Sequence, residues 1–184
     1  MGLITDIVIL IIVVIVIAFV YYYNRLNVLS NIIDNSWAQI DVQLKKRADL
    51  VPNLVETVKG YAAHEKSIFE NVANARAQMM SAQTVEEKDK AGNMLANTLK
   101  SLFAIAENYP ELKANQNFLM LQEELSGIEN KIAYARQHYN DTVLEFNNLV
   151  TTIPGSLFAG LLGKKERPYL EITPTEREVV KVQF

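Results

Sequence analysis

The sequence predicts an all-α protein, with an N-terminal transmembrane helix, an elongated up-and-down helical bundle and an extended C-terminal tail. Three observations carry that expectation. Leu3 to Tyr23, LITDIVILIIVVIVIAFVYYY, holds a single charge, Asp6, near its start. Apolar residues beyond it recur at steps of three and four, the period of one helix face. No stretch of that middle region alternates with the period of two that a half-buried strand requires. The expected divisions are an anchor over 1–23, a cytoplasmic bundle over 24–153, and an apolar turn with a tail over 154–184.

The anchor comes first. Its 21 residues rise ~1.5 Å each and span ~31 Å, the hydrocarbon thickness of a bilayer. Tyr21, Tyr22 and Tyr23 stand where an interfacial aromatic belt belongs. A secretory signal would carry Lys or Arg before the apolar run and small residues at a cleavage site. Neither is here, so the segment reads as an uncleaved anchor. Arg25 follows the span, then Lys45, Lys46 and Arg47, with no Lys or Arg before it. The positive-inside bias therefore expects a short N-terminus outside and the bundle in the cytoplasm. The absence of cysteine excludes disulfides and thiolate metal sites. A net charge of −3 with the signs interspersed argues against nucleic acid as a partner.

The first helix of the bundle carries Leu26, Leu29, Ile33, Trp37, Ile40, Leu44, Ala48, Val51, Val55, Val58 and Ala62 on one stripe, which crosses Pro52 in register. That continuity predicts a helix kinked at Pro52, restarted under a cap from Asp49 and reaching about Met80. A tight hairpin at Ala48-Asp49 is the competing reading, and it makes four shorter helices instead of three long ones. Thr84 followed by Glu87 is a capping box for a second helix carrying Leu95, Leu99, Leu102 and Ala106 and ending at Tyr109-Pro110. A third helix follows, with Phe118, Leu121, Leu125, Ile128, Ile132, Ala135, Tyr139, Val143, Phe146, Val150 and Ile153 on its stripe, stopped by Pro154-Gly155. SLFAGLLG reads as one apolar turn. Tyr169–Ile172 and Val179–Gln183 read as short extended pieces whose edges need pairing.

Chemistry is sparse. The two histidines, His64 and His138, lack the spacing of a zinc protease, where a second histidine would stand at Ile68. There is no nucleophile elbow and no phosphate-cradling glycine loop. Glu86-Glu87 and Glu123-Glu124 are adjacent on helices, so their side chains diverge. No catalytic residue, cofactor or metal is expected. Two surfaces remain. Lys45, Lys46, Arg47, Asp49, Pro52, Asn53, Glu56 and His64 form a candidate interaction surface, whose plainer reading is a packing motif that bends the helix. Arg47 lies ~36 Å past Tyr23 along a continuous helix, several screening lengths from the lipid, so a protein partner suits it better. Asn24, Asn27, Asn31 and Asn35 form a polar stripe. It is either a solvated face or a ladder of amides between neighbouring subunits, as buried polar residues fix register in coiled coils.

Several stretches resemble the LemA family. They are Tyr23-Asn24-Arg25-Leu26, Trp37-Ala38-Gln39-Ile40-Asp41-Val42-Gln43-Leu44-Lys45-Lys46-Arg47, and Asp49-Leu50-Val51-Pro52-Asn53-Leu54-Val55-Glu56-Thr57-Val58-Lys59-Gly60-Tyr61-Ala62 with His64-Glu65. Ala73-Asn74-Ala75-Arg76 is similar to the family's alanine-arginine step. Tyr139-Asn140 and Phe146-Asn147 are similar to its aromatic-asparagine pairs. Tyr169-Leu170-Glu171, Arg177-Glu178 and Lys181-Val182 are similar to its C-terminal signature. Phe146, Leu170 and Val180 depart from it, standing where tyrosine, phenylalanine and proline are usual. The resemblance implies a small anchor, a cytoplasmic helical bundle and no established enzymatic activity. It also implies association with membrane-bound metalloproteases in some genomes and, for a magnetosome member, with membrane shaping.

The expectation is a non-enzymatic scaffold in the bacterial inner membrane. Its partners are the bilayer through residues 3–23 and further copies of itself, with Asn24, Asn27, Asn31, Asn35, Tyr169, Ile172, Val179 and Val182 as oligomer contacts. The alternative is an adaptor or regulator of a membrane metalloprotease or other membrane enzyme.

Overall fold

The computed structural model describes residues 2–170. Among them there are six helices and no strand. Ile172, Val179 and Val182, and most of the two extended pieces expected of the tail, lie outside the described residues.

Helix α1 runs from Gly2 to Lys59 without interruption, Pro52 inside it. Ala48 and Asp49 both lie within it, so the hairpin reading is wrong and Asp49 caps nothing. The helix does not reach Met80, however. It stops at Lys59, and Gly60–Glu65 connect it to α2, Lys66–Ser81. Periodicity conceals this break because Val58 and Ala62 are both buried. Ala62 N–H also donates to Val58 O at 2.9 Å, so the spacing of four survives across the turn. Gly60 is the residue that marks the stop.

Helix α3, Val85–Ala106, opens on the expected capping box, with Thr84 Oγ1 accepting from Glu87 N–H and the Glu87 carboxylate accepting from Thr84 N–H. A single turn, α4 (Pro110–Lys113), follows with proline at its start, where a missing N–H costs nothing. Helix α5 is Gln116–Thr151. The greasy turn proves to be helix α6, Gly155–Leu161.

The chain divides into two compact units, and α1 and α5 contribute to both. The first contains Met1–Ser36 and Gln137–Tyr169. Its core joins Leu26, Leu29 and Ile33 of α1 with Tyr139, Val143 and Phe146 of α5. The second contains Trp37–Arg136. Ile40, Leu44, Val51, Leu54 and Val58 of α1 are buried there, with Phe69 and Val72 of α2, Leu95, Leu99 and Leu102 of α3, and Phe118, Leu125, Ile128 and Ile132 of α5. Each large apolar side chain so enclosed contributes about 1.5–3 kcal/mol. Trp37 is only half-buried, while its neighbour Ser36 is buried.

From Leu3 to Tyr23 nearly every side chain of α1 is exposed. That segment makes α1 long and apolar enough to cross a membrane, with none of the apolar window buried.

Candidate interaction surfaces

The basic triplet is split by helix geometry. Lys45 and Lys46 are exposed, but Arg47 is 1% exposed. Arg47 thus leaves the candidate surface, because ~100° per residue turns it onto the same face as Leu44 and Val51. Its Nη1 donates to Glu129 Oε1 at 2.5 Å and its Nη2 to Gly92 O at 2.6 Å. Burial lowers the Arg47 pKa from its ordinary value, opposed chiefly by the Glu129 carboxylate. An arginine starts so high that it remains charged.

Gly92 makes this contact possible. A Cβ there would lie 2.9 Å from Leu44 Cδ2 and 3.1 Å from Arg47 Nη2. Beside it, Arg136 pairs with Asp89 at 2.7 Å and donates to Asn93 Oδ1 at 2.6 Å. Lys88 pairs with Asp41 at 2.7 Å. Ser81–Gly92 is largely polar in sequence, yet Asp89, Ala91 and Gly92 are buried. An isolated glycine inside a helical pattern was the available signal of close approach.

The Pro52 site resolves in the same unit. Proline has no N–H, so the carbonyl four residues earlier, Ala48 O, loses its helical donor. Arg76 Nε of α2 supplies one, at 2.8 Å. The proline in α1 and the arginine in α2 are two halves of one hydrogen-bonding arrangement. Pro52, Asn53, Asp49, Glu56 and His64 are exposed. Asn53 and Thr57 line a groove of about 520 Å³ with Asn117, Met120, Leu121, Glu123 and Glu124. A second groove, about 680 Å³, lies between Ala38, Gln39, Val42 and Gln43 on one side and Gly127, Asn130, Lys131, Tyr134 and Ala135 on the other.

In the first unit, Asn24, Asn31 and Asn35 are exposed and Asn27 is half-buried, on the side of α1 away from Leu26, Leu29 and Ile33. Arg25 pairs with Glu145. The start of the tail is fastened to its own chain. Asn147 Nδ2 donates to Arg167 O at 2.9 Å, and its Oδ1 accepts from Arg167 N–H at 2.8 Å. Tyr139 OH donates to Pro168 O at 3.3 Å, and Arg167 Nη2 reaches Ser30 Oγ at 3.3 Å and Asp34 Oδ1 at 3.6 Å. Tyr169 is exposed just beyond. Among the described residues no group of three or more histidines and carboxylates is placed to hold a metal ion.

A long, unburied apolar helix segment, continuous with a helical unit that holds a buried ion pair, defines a membrane-associated helical-bundle protein. The chain belongs to the LemA family, whose model matches residues 36–184. It is 24% identical over 178 residues to magnetosome protein MamQ 2 of Paramagnetospirillum magneticum, covering 83% of this chain and 65% of that protein. It is 24% identical over 179 residues to magnetosome protein MamQ of Magnetospirillum gryphiswaldense, covering 82% of this chain and 66% of that one. To protein LemA of Metamycoplasma hominis it is 25% identical over 139 residues, covering 71% and 62%. The matches thus span just under two thirds of these relatives' own length.

Proposed function

We propose that this protein is a membrane-anchored, non-enzymatic scaffold that self-assembles at the cytoplasmic face of the membrane. The observation that carries the reading is α1 itself. One uninterrupted helix, Gly2–Lys59, begins as an exposed apolar span and ends among the core residues of a helical unit. A helix that enters the membrane at one end and is packed into a folded unit at the other makes the anchor part of the architecture. The scaffold presents Lys45, Lys46, Asp49, Asn53, Glu56 and His64 to protein partners.

Self-assembly places Asn24, Asn31 and Asn35 against the same residues of a second copy. An amide is both donor and acceptor, so identical asparagines at equal height satisfy each other. Membrane anchoring sets equal height and parallel direction, and raises local concentration as a tether does. The protein contains no cysteine, so Asn31→Cys introduces a single thiol. Mild oxidation of membranes holding that variant yields a covalent dimer, whereas Glu111→Cys, on the exposed turn α4, yields none. Monomer alone from Asn31→Cys refutes the self-assembly. An impermeant thiol reagent added to intact cells leaves Glu111→Cys unlabelled, and rapid labelling there reverses the orientation.

A further inference from the structure

Helix α6 has an apolar face that the protein leaves open. Leu157 is 65% exposed and Leu161 78%, one helical turn apart, and Ile153 before them is 84% exposed. The opposite face is closed, with Gly155 and Ala159 buried. Exposed apolar residues alone are ordinary. What matters here is where this helix is held.

Phe158 of α6 stacks on Tyr22, with ring centroids 5.1 Å apart, and meets Phe19 edge-on at 6.2 Å. Gly155 makes this docking possible, since a Cβ there would lie 2.3 Å from Leu149 O and 3.3 Å from Tyr22 Cε1. Phe19 and Tyr22 belong to the last turns of the apolar span. Along α1, Phe19 lies four residues before Tyr23, ~6 Å inside the end of the segment. A bilayer's polar zone is ~5–7 Å thick on each side of the hydrocarbon. An element fastened to Phe19 and Tyr22 therefore lies at the boundary between acyl chains and headgroups. It cannot stand clear of the bilayer while α1 crosses it.

The charges match that position. Lys164 and Lys165 follow α6 after Leu162 and Gly163, and among the described residues neither is in an ion pair. Lys164 N–H bonds back to Ala159 O at 3.0 Å, closing the end of the helix. The next cation, Arg167, is held by Ser30 and Asp34. Lysines with apolar stems extend readily from an apolar surface to phosphate level. A short helix with leucines on one side and lysines at its end is the composition of an interfacial element.

We propose that α6, through Ile153, Leu157 and Leu161, inserts into the leaflet in which α1 ends, with Lys164 and Lys165 at the level of anionic lipid phosphates. The partner is the lipid surface itself. This rests on the reading of α1 as a membrane span. It adds a second, shallow attachment that fixes the first unit's rotation about the span, which one helix alone leaves free. Anionic lipid then holds one side of the unit against the membrane.

The test uses full-length protein in vesicles of phosphatidylcholine with phosphatidylglycerol, with an environment-sensitive fluorophore on single cysteines. Leu157→Cys and Leu161→Cys report on α6, Val14→Cys on the span, and Ser101→Cys, exposed on α3, on water. The labels at 157 and 161 are quenched several-fold more by nitroxide placed high on the lipid chain than by an aqueous quencher. The label at 101 shows the reverse, and the label at 14 responds to nitroxide near the chain end. If 157 and 161 behave like 101 while 14 remains deep, the insertion of α6 is refuted and the span stands. If 14 is not deep either, both readings fall. Replacing Lys164 and Lys165 with glutamine removes the gain in quenching that phosphatidylglycerol brings over phosphatidylcholine alone. An unchanged gain overturns the phosphate contact.

Discussion

Arg76→Met tests the coupling between α1 and α2. The substitution keeps an apolar stem for packing and removes only the donor to Ala48 O, now at 2.8 Å. A hydrogen bond from a charged group contributes about 1.5–3 kcal/mol. With Pro52 in place the regular helical donor to that carbonyl is missing, so removing Arg76 Nε takes away the bond that replaces it. For a chain of 150–250 residues 1 kcal/mol moves Tm by about 2–4 °C, so Arg76→Met lowers it by about 3–12 °C. Pro52→Ala restores the N–H that Ala48 O accepts within the helix, and leaves the fold intact or more stable. In that background the loss from Arg76→Met shrinks by about 1–2 kcal/mol, because the carbonyl is already satisfied. The assay is a double-mutant cycle on the full chain in detergent, read as thermal loss of helicity by circular dichroism. Independent sites add within about 0.5 kcal/mol. Equal losses from Arg76→Met with and without Pro52 refute the reasoning.

Gly92→Ala gains about 1 kcal/mol of helix propensity but forces Leu44 and Arg47 apart, and overpacking of that kind costs about 1–3 kcal/mol. A lowered Tm is expected, and a raised one shows that the close approach is not obligatory. Asn147→Ala removes both hydrogen bonds to the Arg167 backbone and costs about 1–3 kcal/mol. Limited proteolysis then cuts near Arg167 sooner, with equal cleavage rates counting against the clasp. Glu87 has its pKa lowered by accepting from the Gln83 and Thr84 N–H groups. A carboxylate depressed in the fold adds stability above its unfolded pKa and loses it as pH falls through the folded one. Glu87→Gln therefore narrows its Tm deficit below about pH 4.3, the ordinary glutamate value. A deficit constant with pH removes the ionic part of the cap.

Much of the fold was legible because it rests on local signals. The apolar span, the capping box at Thr84 and Glu87, and the long stripe of α5 each follow from spacing within one segment. What the sequence concealed depends on contacts across the chain. The stop at Lys59 hides behind a turn that preserves the burial of both Val58 and Ala62. Arg47 reads as the third member of a basic cluster until helix phase places it beside Leu44. Arg76 shows nothing in its own helix of the carbonyl it serves, 28 residues earlier. The span was legible while α6 was not, because its role at the lipid boundary comes from Phe158 meeting Phe19 and Tyr22 across more than a hundred residues of sequence.

These contacts also sort the family-like motifs by what they do here. Arg47 closes on the Gly92 carbonyl, Arg76 on the Ala48 carbonyl, and Asn147 on both backbone groups of Arg167. Each serves main-chain polar groups, buried at Gly92 and part-buried at Ala48 and Arg167, and a buried group of that kind left unmet costs about 1–3 kcal/mol. Such residues specify a fold, so substituting them reports on stability before it reports on function. The surfaces we propose for meeting other molecules are elsewhere: the exposed asparagines of α1, the open face of α6, and the polar residues around Pro52. A substitution at Leu157 or Asn31 that leaves Tm unchanged while altering lipid contact or crosslinking separates function from folding, and substitutions at Arg47 or Arg76 cannot.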